Sequence, residues 1–209
     1  MLNRDYQYYK EVFRGQNMPF AFVDLDLFDE NIKHIVSRAK EKKIRVASKS
    51  VRSVALLKKI FSSNPIFQGI MCFTVPEAIY LSQQGFDDLL VAYPCCQEHQ
   101  LMDVCEEVKK GKTIVLMIDS IEHVENHQSI AEKCNVALPI CMDIDMSSRF
   151  PGLHFGVWRS GIFGKEEALK VFEKIRESGN LRLDGIMGYE AQIAGIGDNY
   201  PGQLLKNAV

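Results

Sequence analysis

The chain has 209 residues, 46% of them hydrophobic and 25% charged, with 25 Lys+Arg against 27 Asp+Glu for a formal net charge of −2. That balance offers no basic stripe to displace counterions from a phosphate backbone, so nucleic-acid binding is not expected. The longest apolar runs, such as Leu89-Leu90-Val91-Ala92-Tyr93, are far shorter than the roughly 18 residues that cross a bilayer, and the charged start MLNRDYQYYKEVF has no apolar signal core; a cytoplasmic protein without a membrane role is expected.

Taken in chain order, Phe20 to Asp26 is an apolar run ending in acids, expected as a strand, and an amphipathic helix follows from Leu27 to Lys42. Ile44 to Ser48 is a short strand; Val51, Val54, Leu57 and Ile60 then recur at helical spacing. Phe67 to Phe73 is the next apolar run, and the helix behind it has Pro76 in its first turn and Gly85 at its end. Asp88 to Tyr93 is a strand, and Gln97 to Lys110 is a helix stopped by Gly111. Thr113 to Ile118 is a strand, with Ser120 capping the helix Ile121 to Lys133. Leu138 to Ile144 is another, followed by a loop from Asp145 to Gly164, a helix from Lys165 to Ser178 and a last strand from Leu183 to Met187.

Strands apolar on both faces, alternating with helices of about 10–15 residues, indicate parallel strands joined by right-handed crossovers. Successive strands begin at Ile44, Phe67, Asp88, Thr113 and Leu138, an even spacing that suits a barrel better than an open sheet. No G-x-G-x-x-G follows the first strand and no P-loop occurs. The expected fold class is therefore α/β, a (β/α)8 TIM-type barrel with its site at the carboxyl ends of the strands.

Those ends give a short inventory. Lys49 directly follows the Ile44–Ser48 strand, where desolvation would favour the neutral amine that a Schiff-base lysine needs; a solvated loop lysine or an anion binder has the same position. Arg149 and Arg159 share the loop behind the Leu138–Ile144 strand and suit a phosphate, carboxylate or phenolate oxygen, or else pair with nearby acids. His154 lies between them and is a candidate for substrate contact. Tyr189 and Glu190 follow the last strand, and a packed barrel residue is the plainer reading of Tyr189. His123 and His127 are four apart on a helix, but no H-E-x-x-H accompanies them and none of the six cysteines forms a C-x-x-C pair, so no metal site is assigned.

Taken together, Phe22-Val23-Asp24-Leu25-Asp26-Leu27 with Asn31, R-V-A-S-K-S over 45–50, D-I-D-M-S-S-R over 143–149, L-H-F-G-V-W-R-S-G-I over 153–162 and G-Y-E-A-Q over 188–192 resemble the fold-type III pyridoxal-phosphate enzymes. The closest branch is the D-threonine aldolase / D-serine dehydratase-like group, with its alanine racemase-type amino-terminal barrel. The resemblance implies that Lys49 binds pyridoxal 5'-phosphate as a Schiff base. It also implies that Arg159, with Arg149 as rival, contacts the phenolic side of the cofactor, and that Tyr189 lies beside the pyridine ring. It implies a lyase acting on a small D-amino acid, of aldolase or dehydratase type, and a homodimer in full-length form. Alanine racemization is disfavoured because Ser50-Val51-Arg52-Ser53 replaces the Tyr-Gly-His-Gly that alanine racemases carry after the lysine.

The same resemblance assigns the Phe20–Asp26 strand to a carboxyl-terminal β-domain, which in this group also binds a divalent metal and which is not expected within these residues. The expected division is thus residues 1–43, holding a helix, that strand and the first helix, and residues 44–209, a partial barrel of about six strands where closure needs eight. The last residues, Leu204 to Val209, read as the first turn of another helix, so a truncated portion of a longer enzyme is expected. A non-catalytic pyridoxal-phosphate-binding barrel and an inactive fragment are the alternatives.

Overall fold

A computed structural model describes residues 4–190 and 201–202. The chain divides into two compact units, Met1–Lys40 and Glu41–Val209.

The first unit holds α1 (Tyr6–Val12) and α2 (Leu25–Ala39). Asp24 caps α2 by accepting from the Asp26 and Leu27 amides, accepts from the Tyr9 hydroxyl at 2.7 Å, and pairs with Arg4. The adjoining Arg4 guanidinium lowers the Asp24 carboxyl to about 2. Phe20–Asp26, expected as a strand, is not one: 20–24 have no regular structure, and Leu25 and Asp26 belong to α2. A strand exists only as part of a ladder, and the alternate residues Phe20 and Phe22 pack instead against Phe13, just past the end of α1, with ring centroids 4.9 and 4.4 Å away. The helix consequently starts at Leu25, two residues earlier than its apolar pattern suggests.

The second unit is a six-stranded parallel sheet in the order β1 (Ile44–Ala47), β2 (Phe67–Cys72), β3 (Leu89–Val91), β4 (Ile114–Ile118), β5 (Leu138–Ile144) and β8 (Leu181–Gly188). Between them run α3 (Val54–Ser63), α4 (Val75–Gln83), α5 (Glu98–Lys109), α6 (Ile121–Cys134) and α7 (Lys165–Glu177). This is the α/β barrel expected from the strand spacing; among the described residues β1 and β8 are not hydrogen-bonded to each other, so the barrel stays open between them. Residues 145–164, expected as a plain loop, contain an antiparallel hairpin of β6 (Ser148–Phe150) and β7 (Leu153–Phe155). The Leu204–Val209 turn and Ala191 and Gln192 of the last motif lie outside the described residues.

The period of two along each strand sorts its residues between two layers. Ile114, Leu116 and Ile118 of β4 are buried on one face, while Val115 and Met117 face the interior with Met71, Leu90, Cys141 and Met187. Helix ends follow local chemistry. Thr74 caps α4 by accepting from the Glu77 amide, and Glu77 Oε2 accepts from the preceding Phe73 amide at 2.6 Å; Ser120 caps α6 in the simpler manner.

At the amino end of the strands, Arg45 of β1 passes across β2 and donates to Asp88 just before β3, at 2.5 Å to its carbonyl and 2.7 Å to its carboxylate. Gly69 makes this crossing feasible. Its φ is +73°, and a Cβ there would collide with Arg45 Nη1 and sit 2.5 Å from the Asp88 carbonyl. Gly69→Ala is therefore expected to destabilise the protein by about 2 kcal/mol in denaturant-induced unfolding, through positive φ and overpacking together.

His127 of α6 is fully buried, and its Nδ1–H donates to the His123 carbonyl at 2.7 Å, leaving Nε2 buried without a partner. Burial lowers its ionisation to about 4. A histidine held neutral stabilises the fold above its ordinary value; as pH falls below about 6.5 the unfolded chain takes up a proton that the folded chain refuses. The expected loss between about pH 6.5 and 4 approaches 3 kcal/mol. Comparing unfolding free energies of the wild type and His127→Met across this window measures it, and the variant should lack that part of the slope.

Candidate functional site

The carboxyl ends of the barrel strands surround a cavity of about 340 Å³, within the range of small-molecule sites. Lys49 reaches it from a single 3-10 turn, Ser48–Ser50, that immediately follows β1. Ser48 anchors the turn by donating to the Met71 carbonyl at 3.0 Å, and the Arg52 guanidinium donates to the Lys49 carbonyl at 3.3 Å. Among the described residues the Lys49 ammonium has no hydrogen-bond or ion-pair partner. Lys49 is exposed, not desolvated as its place at a strand end suggests.

Arg159 lines the same cavity. The residues after the β6–β7 hairpin are sewn back onto the end of β5: Ser160 Oγ donates to the Asp143 carbonyl at 2.7 Å, and Asp145 N donates to the Ile162 carbonyl at 2.9 Å. This return holds Arg159 with Nε donating to Asp143 Oδ2 at 3.0 Å and Nη2 donating to the Ala92 carbonyl at 2.7 Å. The guanidinium carbon lies 4.7 Å from the Tyr93 ring centre and 5.3 Å from that of Tyr189, so two aromatic rings flank the cation. Asp143 is almost fully buried, and its Oδ1 has no partner. Burial pushes its carboxyl up from the ordinary value, and the charge of Arg159 draws it partly back.

The geometry separates the candidates read from sequence. Lys49, Arg159 and Tyr189 share the cavity. Arg149 and His154 do not line it. Arg149 lies on the exposed hairpin with its guanidinium carbon 3.6 Å from the Phe163 ring centre, and His154, opposite it in the hairpin register, stacks on Trp158 at 3.7 Å. His123 turns to Asp119, with Nδ1 2.8 Å from the carboxylate, while His127 is turned to a backbone carbonyl, so the two imidazoles do not converge. Among the described residues no group of three His, Cys, Asp or Glu could hold a metal.

Sequence reasoning missed Asp143, Phe73 and Tyr93. The signal for Asp143 was its parity with Cys141 along β5, which turns both to the barrel interior; Phe73 and Tyr93 each stand just past a strand end.

A lysine and a clamped arginine face one cavity at the carboxyl ends of a parallel barrel, the end at which barrel enzymes carry their sites. The chain belongs to the alanine racemase N-terminal domain family, whose model matches residues 23–204. Among solved structures it is similar to D-threo-3-hydroxyaspartate dehydratase from Delftia sp. HT23, with TM-score 0.69 at 21% identity over 83% of this chain and 44% of that one. It is also similar to D-threonine aldolase from Filomicrobium marinum, with TM-score 0.70 at 17% identity over 81% and 43%. Alanine racemase of Clostridium difficile 630 matches with TM-score 0.64 at 18% identity over 87% and 44%. The chain thus spans less than half the length of these structures. No curated protein sequence matches. The resemblance to fold-type III pyridoxal-phosphate enzymes read from the motifs is borne out at the level of family and fold.

Removing the Asp143 carboxylate leaves a largely buried guanidinium without its counter-charge. Asp143→Ala is expected to cost about 3 kcal/mol of unfolding free energy. Adding Arg159→Met should restore at least half of it, a coupling that a double-mutant cycle in denaturant measures.

Proposed function

We propose that this chain carries the lysine-bearing barrel of a pyridoxal-phosphate-dependent lyase that acts on a D-amino acid, of aldolase or dehydratase type, through a Lys49 Schiff base. The observation that carries the reading is the convergence of the Lys49 amine, the Arg159 guanidinium and the Tyr93 and Tyr189 rings on one cavity. These residues fit the cofactor: a free primary amine for its aldehyde, a cation for an oxyanion, and aromatic and thioether walls for a flat ring. Asp143, buried behind Arg159, supplies the counter-charge that holds the cation in place.

Pyridoxal phosphate, when bound, supplies the electron sink for a broken Cα bond. The chain's own part is then defined by its side chains. Lys49 Nζ would hold the cofactor's aldehyde and would be the group placed to take or return a proton at the substrate Cα. Arg159 stays put because Asp143 and the Ala92 carbonyl occupy two of its donors, and its remaining N–H groups present positive charge to a phenolate or carboxylate oxygen. Tyr93 and Tyr189 flank that cation. Arg149 and His154 carry no role in this reading. No described residues are assigned to the divalent metal that the resemblance implies, and the family's dimeric assembly is part of the same proposal.

Mixing the protein with pyridoxal phosphate should give an absorbance band at the visible edge that Lys49→Ala abolishes. Arg159→Leu should weaken cofactor affinity about tenfold or more, the worth of one charge-assisted hydrogen bond. A band that survives Lys49→Ala removes the Schiff-base assignment. A Lys49-dependent band that no D-amino acid alters favours a non-catalytic cofactor-binding protein.

A further inference from the structure

We propose that Arg52 binds the α-carboxylate of the amino-acid substrate, in a second cavity that Lys49 itself walls. This deepens the reading of the Lys49 cavity given above and rests on it. Arg159 then serves the cofactor and Arg52 the substrate.

Lys49 and Phe73 line two cavities, the one of about 340 Å³ that holds Arg159 and another of about 600 Å³ bounded by Arg52 and Glu77. A group carried on Lys49 therefore has both spaces open to it. Arg52 follows the Ser48–Ser50 turn, and its Nε donates to the Lys49 carbonyl at 3.3 Å, so the turn that presents the amine also places the cation. That bond uses Nε alone, and among the described residues no carboxylate pairs with the guanidinium. Its charge brings the fold no gain. Arg52 is exposed and directly precedes Ser53, the cap of α3, where a cation opposes the helix dipole, and α3 has no acid in its first turn to offset it. Such a charge becomes favourable only when an anion arrives.

Arg159 is differently placed. The buried Asp143 carboxylate already compensates its charge and the Ala92 carbonyl takes another donor, which leaves it less able to attract a second full anion. What remains suits the phenolate that the resemblance assigns to it. In the larger cavity the acid Glu77 accepts from the Phe73 amide at 2.6 Å and lies in the first turn of α4, where the dipole favours its charge. Glu77 repels a carboxylate from the α4 wall, so the Arg52 wall is where one binds. Apolar Val54, Leu57 and Leu81 line the same space and limit the screening of that pair by water. The α-carboxylate shares its carbon with the amino group that meets the cofactor. It therefore arrives close to Lys49, as Arg52 does.

Phenylglyoxal, an arginine reagent, reads the contact without any turnover. In the cofactor-loaded protein, saturating D-serine or D-threonine should slow modification of Arg52 several-fold by site-resolved mass spectrometry, and the corresponding amides, which lack the carboxylate, should slow it far less. Arg176 on α7 should react at an unchanged rate. In titrations of the cofactor band, Arg52→Gln should raise the half-maximal concentration of either amino acid about tenfold or more, the worth of one hydrogen bond to a charged group. Arg52→Lys should recover most of that loss, the amides should titrate alike in wild type and Arg52→Gln, and both variants should keep the wild-type affinity for pyridoxal phosphate. A loss confined to D-aspartate assigns the cation to a side-chain carboxylate, and a loss of cofactor affinity assigns it to the cofactor's phosphate. Either result, an unprotected Arg52, or unchanged amino-acid titrations in Arg52→Gln overturns the subsite while the Lys49 band stands. Absence of a Lys49-dependent band, or a band that no D-amino acid alters, instead overturns the parent reading, and the subsite with it.

Discussion

The Asp143–Arg159 pair governs the mouth of this barrel because it joins three separate connections through one cation. Arg159 comes from the far side of the β6–β7 hairpin, Asp143 from β5, and the Ala92 carbonyl from the end of β3. Two charges withdrawn from water are a poor source of net stability, but they are strongly directional once paired. The pair therefore fixes geometry: it sets where the hairpin returns, presents the guanidinium between two tyrosines, and leaves one carboxylate oxygen in want of a donor. Stability comes instead from the layer of Ile and Leu on the opposite strand faces, such as Ile114, Leu116, Leu138 and Ile140.

Much of the second unit was legible because buried parallel strands and their connecting helices carry strong local signals. Ser120, Pro76 and Gly111 each mark an element end where expected, and β5 runs over the anticipated Leu138–Ile144. The failures share a physical cause. Phe20–Asp26 has the composition of a strand, but composition does not supply a partner, and its aromatic rings pack within their own unit. The hairpin over residues 148–155 is too short for its alternation to stand out from a loop.

Position after a strand was sufficient to anticipate that Lys49 and Tyr189 face the cavity, but not which of Arg149 and Arg159 does. That choice depends on where a hairpin turns back, which no local pattern encodes. Asp143 went unassigned for a related reason: an acid within an apolar strand reads as a boundary until the barrel interior places it opposite a cation. The exposure of Lys49 could not be inferred from its neighbours in sequence, since covering it is a matter of tertiary and domain contacts.

The Arg45–Gly69–Asp88 crossing has a consequence for how this architecture accepts change. It ties β1 to β3 over a residue with no side chain, at the end of the barrel remote from Lys49. Registry among the first three strands is thereby maintained from below, independently of the connections above. Loops at the mouth can be lengthened, shortened or resequenced while the strands that present them keep their alignment. A barrel anchored in this way separates the inheritance of its frame from the variation of its chemistry.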